Sequence, residues 1–468
     1  MAYLTTNPAT GAVEKSFEYI SDDDLKSAVA TAHACYVDDW RRRSIADRSA
    51  IISKAAALIR ADSDRLARLA VREMGKLLAQ AEGEVALAAD ILDYYAKRAE
   101  AYLAPKSIVE KPGSTVHTLP IGVLLAVEPW NFPYYQLARV AGPQLMVGNT
   151  LIVKHASSVP QCAAAFEEIL ERAGAPTGAY VNVYAKTDQI GGLIDDVRIR
   201  GVTVTGSERA GAAVAERAGR NLKKSVMELG GSDPLIVLED APFEATIANA
   251  VWGRMNNTGQ SCVASKRMIV VGRERGARFL EAMKAELSAL KVGDPMEAST
   301  TLGPVSSESA VEGLVKQIDT AREAGATVVL GGHRIDRPGF YLEATILTDI
   351  APENPIYLQE LFGPVLSFYV VDTEEEAIRL ANVIPYGLGG SVFTGDLERG
   401  EKVALQIDSG MAFVNHPTWT APELPFGGVK NSGYGRELSD LGFGEFVNHK
   451  LIAVSPVGAP APGVSQAG

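Results

Sequence analysis

Cysteine is scarce in this chain of 468 residues: only Cys35, Cys162 and Cys262 occur. An odd number spaced so widely builds neither a disulfide framework nor a zinc-ligand set, and it suits a reducing cytoplasm with no metal site. Basic charge is short as well. The formal net charge is −12, so the field that nucleic acid or an anionic membrane would require is missing. No stretch of about eighteen apolar residues escapes a charge or a breaker. The opening MAYLTTNPATG has neither a basic n-region nor an apolar h-region. Neither a membrane span nor secretion is therefore expected. What is present is an ordinary globular composition, 47% hydrophobic and 22% charged, with length for two or three domains around a large core.

After Ser44 the apolar positions Ile51, Ile52, Ala55, Leu58 and Ile59 repeat at helical spacing and predict a helix that buries one face. A second helical run extends from about Ala79 to Tyr102. The segment from Lys106 to Leu119 then turns β-prone around Pro112-Gly113 and reads as a hairpin that projects from the helical region. Short apolar runs follow at Gly122 to Val127, Thr150 to Val153, Tyr180 to Tyr184 and Gly201 to Thr205, alternating with helical stretches. That alternation marks βαβ units around a buried parallel sheet, with ligands at the carboxyl ends of its strands. A second alternating region spans about Pro234 to Phe426, with strand candidates at Leu235 to Leu238, Met268 to Val271, Thr327 to Leu330 and Ser391 to Thr394. The closing PVGAPAPGVSQAG has almost nothing to bury and is expected to be a disordered tail.

Several short segments carry chemistry. Cys262 closes NNTGQSC, whose glycine, serine and amides predict a tight turn rather than a core strand; a lone cysteine is more often inert and buried. Glu228 in MELGG precedes paired glycines that let backbone approach closely, although a glutamate before a turn is commonly just solvated. Asn131 stands between two prolines in EPWNFP, directly after a strand. A turn so rigid fixes the direction of the amide, which suits either an oxyanion donor or a structural Asx turn. In TGSERAG, Gly206, Ser207 and Gly211 lie between a strand and a helix start, where backbone N–H groups can receive a pyrophosphate. Lys154 at a strand end has the reach for a ribose or phosphate.

PWNFP, Lys154, TGSERAG, MELGG, GQSC and LQELFGP at 358–364 stand in the order and at the spacings of one family. Over essentially its whole length, from NPATG to PFGGVKNSGYGRE, the chain resembles the aldehyde dehydrogenase superfamily. The resemblance implies an α/β fold: a Rossmann-type cofactor domain (1–104 and 120–229), an α/β catalytic domain (230–440), a small β oligomerisation arm (105–119 and 441–456) and a tail (457–468). It further implies Cys262 as nucleophile, Asn131 with the Cys262 backbone N–H as oxyanion hole, and Glu228 as general base, the only carboxylate that these motifs bring near. Lys154 and Glu360 would hold the two ribose hydroxyl pairs, Ser207 would meet the pyrophosphate between Gly206 and Gly211, Phe362 would pack near the nicotinamide, and Trp130 would also contact the cofactor.

Relatives that prefer NAD often carry a glutamate three residues after the strand-end lysine, where it repels a 2′-phosphate. Here Lys154-His155-Ala156-Ser157 lacks it, so NADP is the expected preference and NAD a usable second, unless another group excludes the phosphate. Tyr135 and Arg139 fall on one helical face of the tunnel-lining helix. Arg139 there suits an aldehyde with a distal carboxylate, most like succinate semialdehyde and its bacterial dehydrogenases; the alternative is that Arg139 turns to an acidic neighbour and the substrate is an apolar or aromatic aldehyde. Ser261, Trp419 and Thr420 would complete the substrate wall. Retention of Glu228 favours hydrolysis over transfer to coenzyme A, and a non-catalytic protein on the same fold would be expected to lose Cys262, Glu228 or Asn131. Val263 beside the nucleophile predicts no local disulfide switch. The resemblance also implies a homo-oligomer, built by the 106–119 hairpin and a strand near Phe446 to Ser455 extending a neighbour's sheet.

Overall fold

The computed structural model of the chain describes residues 3–458; the expected tail lies almost wholly outside them. Of the five sheets among the described residues, two large ones and a three-stranded one organise the chain, and the other two have two strands each. The first has six strands in the order Gly433–Tyr434, Lys224–Glu228, Ile199–Thr205, Val123–Val127, Thr150–Lys154 and Tyr180–Asn182. All but the first are parallel, and the central strand Val123–Val127 is buried at four of its five positions, as parallel strands covered on both faces must be. The second sheet has seven strands around Ser265–Val271, which pairs in parallel with Asp233–Val237 and Val365–Val371.

The helix read after Ser44 runs Ile45–Ala61 and starts on a capping box with Asp47, worth about 1 kcal/mol at its N-terminus. Ile52, Ala55 and Ile59 are buried on its inner face. The second helical run is a single helix, Leu78–Leu103. It packs along Pro133–Val147, a helix buried at every position. Glu84 from the first accepts the Tyr134 and Tyr135 backbone N–H groups at 2.7 and 3.1 Å and ion-pairs with the buried Lys76. That carboxylate satisfies donors which the start of a helix leaves free, and so it fixes the helix that carries Tyr135 and Arg139.

The third sheet is antiparallel, in the order Val447–Ala453, Ser114–Pro120, Lys106–Ser107. Hairpin and terminal strand therefore pair with each other within one chain. Among the described residues, no helix is long and apolar enough to cross a membrane.

Candidate active site

Cys262 lies in a turn between the helix Phe243–Met255 and the strand Ser265–Val271. The turn is strained: Asn257 and Thr258 both hold left-handed backbone, φ 56° and 55°, which is unfavourable for a β-branched threonine. The strain is held by polar contacts. Asn257 Nδ2 donates to the carbonyls of Asn131 and Gln260 at 2.9 and 3.0 Å. The guanidinium of Arg254 is buried without a carboxylate and donates to the carbonyls of Gly259, Leu361, Gly363 and Val365. One arginine thus ties the turn before Cys262 to the loop carrying Glu360 and Phe362. MELGG supplies the other side: a Cβ at Gly230 would stand 2.6 Å from Glu360 Oε2, and one at Gly231 2.6 Å from the Cys262 carbonyl. Only glycines allow this approach.

Two cavities meet at Cys262. One, of about 440 Å³, is bordered by Tyr135, Arg139, Ser261, Trp419 and Thr420, and also by Gln80, Glu84, Trp252 and Phe426. The other, of about 280 Å³, is bordered by Trp130, Asn131, Gly206, Ser207, Glu360 and Phe362. It opens at the carboxyl edge of the six-stranded sheet, where the strands ending at Val127, Lys154 and Thr205 finish side by side. Trp130 and Phe362 meet edge to face at 5.8 Å across it. Asn131 is buried, borders the smaller cavity and gives one amide hydrogen to the Gln260 carbonyl at 3.1 Å. Burial pushes the Cys262 thiol up to about 12, opposed first by Lys266 and then by Arg139.

Ser207 caps the helix Glu208–Arg220, and Gly206 N–H donates to the Glu228 carbonyl at 2.9 Å. Ser157 is exposed in the turn that follows Lys154. Gly211 departs from expectation. It lies in the first turn of its helix, where a Cβ would meet Leu229 at 2.5 Å, and it borders neither cavity. Helix packing, not a phosphate, demands that glycine.

Two further expectations need correction. Arg139 borders the larger cavity, but its guanidinium is already ion-paired with Glu437 and donates to Thr205 Oγ1 at 2.7 Å; it is not a free fork. Glu228 is not the only nearby carboxylate, because Glu84 and Glu360 each border a cavity while Glu228 borders neither. It is buried against Gly427 with neither carboxylate oxygen hydrogen-bonded. Burial, and after it the charge of Glu437, hold its pKa well above the usual carboxylate range. Glu128 and Glu437 share this buried cluster around Arg139 and are raised in the same way. The next two residues, Leu229 and Gly230, do border the smaller cavity.

Sequence reading missed Asn257, Arg254, Lys266 and Glu437. For Arg254 the available signal was a cation between Gly253 and Met255 just before the cysteine motif; Lys266, followed by Arg267, carried none.

A cysteine where two cavities meet, one of them at the carboxyl edge of a parallel sheet, is the setting in which the chain's class can be stated. The chain belongs to the aldehyde dehydrogenase family, whose model matches residues 2–452. It is 47% identical to the succinate-semialdehyde dehydrogenase [NADP(+)] of Deinococcus radiodurans, covering 97% of this chain and 95% of the relative. Among solved structures it matches succinic semialdehyde dehydrogenase from Streptococcus pyogenes in complex with NADP+ at 44% identity and TM-score 0.95, covering 97% and 100%. It also matches Gox0499 at 51% identity and TM-score 0.96, covering 97% and 100%.

Proposed function

We propose that the chain oxidises succinate semialdehyde to succinate with NADP, through a thioester on Cys262. The observation that carries this reading is the meeting of the two cavities at Cys262, one walled by the Trp130–Phe362 pair and the other bordered by Arg139. The relatives' substrate and cofactor support it.

The lining of the smaller cavity suits a nicotinamide: Trp130 and Phe362 border it, as do Ser207 at a helix start and the Glu360 carboxylate. Trp130, Ser207, Glu360 and Phe362 would hold the nicotinamide end of NADP, which would supply the hydride acceptor. The chain's own residues do the rest. Ionised Cys262 adds to the aldehyde carbon, and the Asn131 amide and the Cys262 N–H stabilise the oxyanion, roughly 3–4 kcal/mol for one good donor. Loss of hydride leaves an acyl thioester. Glu228, turned toward the thiol, takes a proton from water; attack on the thioester carbon expels the thiolate and releases the acid.

Of the residues bordering the larger cavity, Arg139 is the one cation among those described, and Ser261 and Thr420 add hydroxyl donors beside it. The distal carboxylate competes with Glu437 for that guanidinium. With NADP, succinate semialdehyde is expected to exceed butanal in kcat/KM by tenfold or more, about 1.4 kcal/mol of transition-state preference. The double variant R139M/E437Q should erase the ratio. Removing both partners avoids the roughly 3–5 kcal/mol cost of one unpaired buried charge. Equal rates with butanal in the parent enzyme would refute the carboxylate contact and leave the Cys262 chemistry standing.

Cofactor choice rests on Ser157 and on the absence of a carboxylate in the 154–158 turn. Ser157→Glu is expected to raise the KM for NADP about tenfold or more, through like-charge repulsion of the 2′-phosphate, with little change for NAD. Steady-state kinetics with each cofactor check it, and equal effects on both would count against this role. A homo-oligomer through the small sheet is part of the same proposal: the terminal strand has one edge unpaired among the described residues, with Leu451 and Ile452 exposed. A cytoplasmic setting fits the three free thiols.

A further inference from the structure

Lys266 is the second residue of the strand Ser265–Val271, four residues past Cys262, and its side chain is 1% exposed. A buried ammonium must place all three of its hydrogens. Here they go to the Ser261 carbonyl at 2.6 Å, the Cys262 carbonyl at 2.8 Å and Glu360 Oε1 at 2.9 Å. Two acceptors belong to the turn that presents the thiol. The third is the carboxylate bordering the cofactor cavity, which also takes the Gly231 N–H at 3.2 Å. The Phe362 ring centroid lies 5.6 Å from the ammonium. One side chain therefore bridges the nucleophile and a cofactor-contacting group.

We propose that Lys266 is a positioning residue that couples engagement of Glu360 by the cofactor ribose to ionisation of Cys262. The inference rests on the proposed roles of Cys262 and Glu360. While Glu360 is free of ligand, its negative charge offsets much of the Lys266 field at the sulfur. Ribose hydroxyls donating to Glu360 disperse that charge, and the Lys266 field then favours the thiolate. The other ionisable groups facing the thiol are Arg139 and Tyr135 from the helix Pro133–Val147, and Asp233 from the strand Asp233–Val237. Burial opposes the thiolate, Lys266 is the leading favourable charge, and Glu360 and Asp233 act against it. The same ammonium holds the two carbonyls, so it fixes the turn in both states.

The test is the pH dependence of Cys262 alkylation by iodoacetamide, followed by peptide mass, without and with saturating NADP. In the parent enzyme NADP should move the half-point of the profile to lower pH. Lys266→Met should raise the half-point by about one pH unit or more and make it insensitive to NADP, while Lys266→Arg should stay near the parent. Glu360→Gln moves the other way: its half-point without cofactor should already be low, and NADP should not lower it further. If Lys266→Met fails to fold, Glu360→Gln decides alone, since loss of structure does not predict its sign. Coinciding profiles for Lys266→Met and the parent, or an upward move in Glu360→Gln, overturn the proposal. If Cys262→Ser is inactive and the profiles coincide, only the coupling is wrong; if Cys262→Ser turns over normally, the reading of the site itself is wrong.

Discussion

Cys262→Ser is expected to lower turnover of succinate semialdehyde by roughly 10⁴-fold or more, because a serine hydroxyl is far less acidic and less nucleophilic than a thiol and forms an ester in place of a reactive thioester. Cofactor binding, followed by quenching of tryptophan fluorescence, should change little. The controls are built into the chain. Cys35 is buried with its thiol pushed up to about 11 by burial, and Cys162 is buried beside Glu73 and Tyr134 and raised further. Neither borders the two cavities, so Cys35→Ser and Cys162→Ala should retain turnover if the protein folds. Activity surviving in Cys262→Ser would remove the basis of the proposed mechanism.

Glu228→Gln is expected to cut steady-state turnover by about 10²–10⁴-fold, the usual contribution of a positioned base, while sparing the first hydride transfer. Rapid mixing should then show a burst of NADPH equal to one per active site, followed by almost no turnover. In the parent enzyme, the Glu228 pKa is raised by burial and by Glu437, and the base must be ionised to act. Deacylation should therefore slow as pH falls through that raised pKa. Stability runs the opposite way. A carboxylate whose folded pKa lies above its unfolded value stabilises the fold at low pH, and that contribution is lost as pH rises through the folded pKa. Thermal melts should show Glu228→Gln gaining on the parent as the buffer is made more alkaline. A variant with no burst, or with full turnover, would contradict this role.

The sequence made the backbone frame legible because the signals there are local. Strand ends at Val127, Lys154 and Thr205 follow from short apolar runs closed by turn residues, and the need for glycine at 230 and 231 follows from a close approach that only a missing Cβ allows. The same local logic misassigned Gly211, since a glycine needed against Leu229 looks, in sequence, like one needed against a phosphate. Side-chain commitments were harder to read. Whether Arg139 offers its guanidinium to a ligand depends on Glu437 and Thr205, brought to it from distant parts of the chain. Spacing on one helix says which face Arg139 occupies and nothing about its partner. The direction of Glu228 was equally hidden: burial among Glu128, Glu437 and Arg139 is a property of the packed cluster. Lys266 escaped notice because a lysine in a strand is ordinarily read as exposed, and only the fold supplies its three acceptors.

The central claim is a covalent acyl group on one sulfur. Glu228→Gln mixed with NADP and succinate semialdehyde, quenched in acid after the burst and analysed by peptide mass, should carry one succinyl group on the peptide containing Cys262 and none on those containing Cys35 or Cys162. NADPH formed with Cys262 unmodified, or the acyl group found on another residue, would contradict the account.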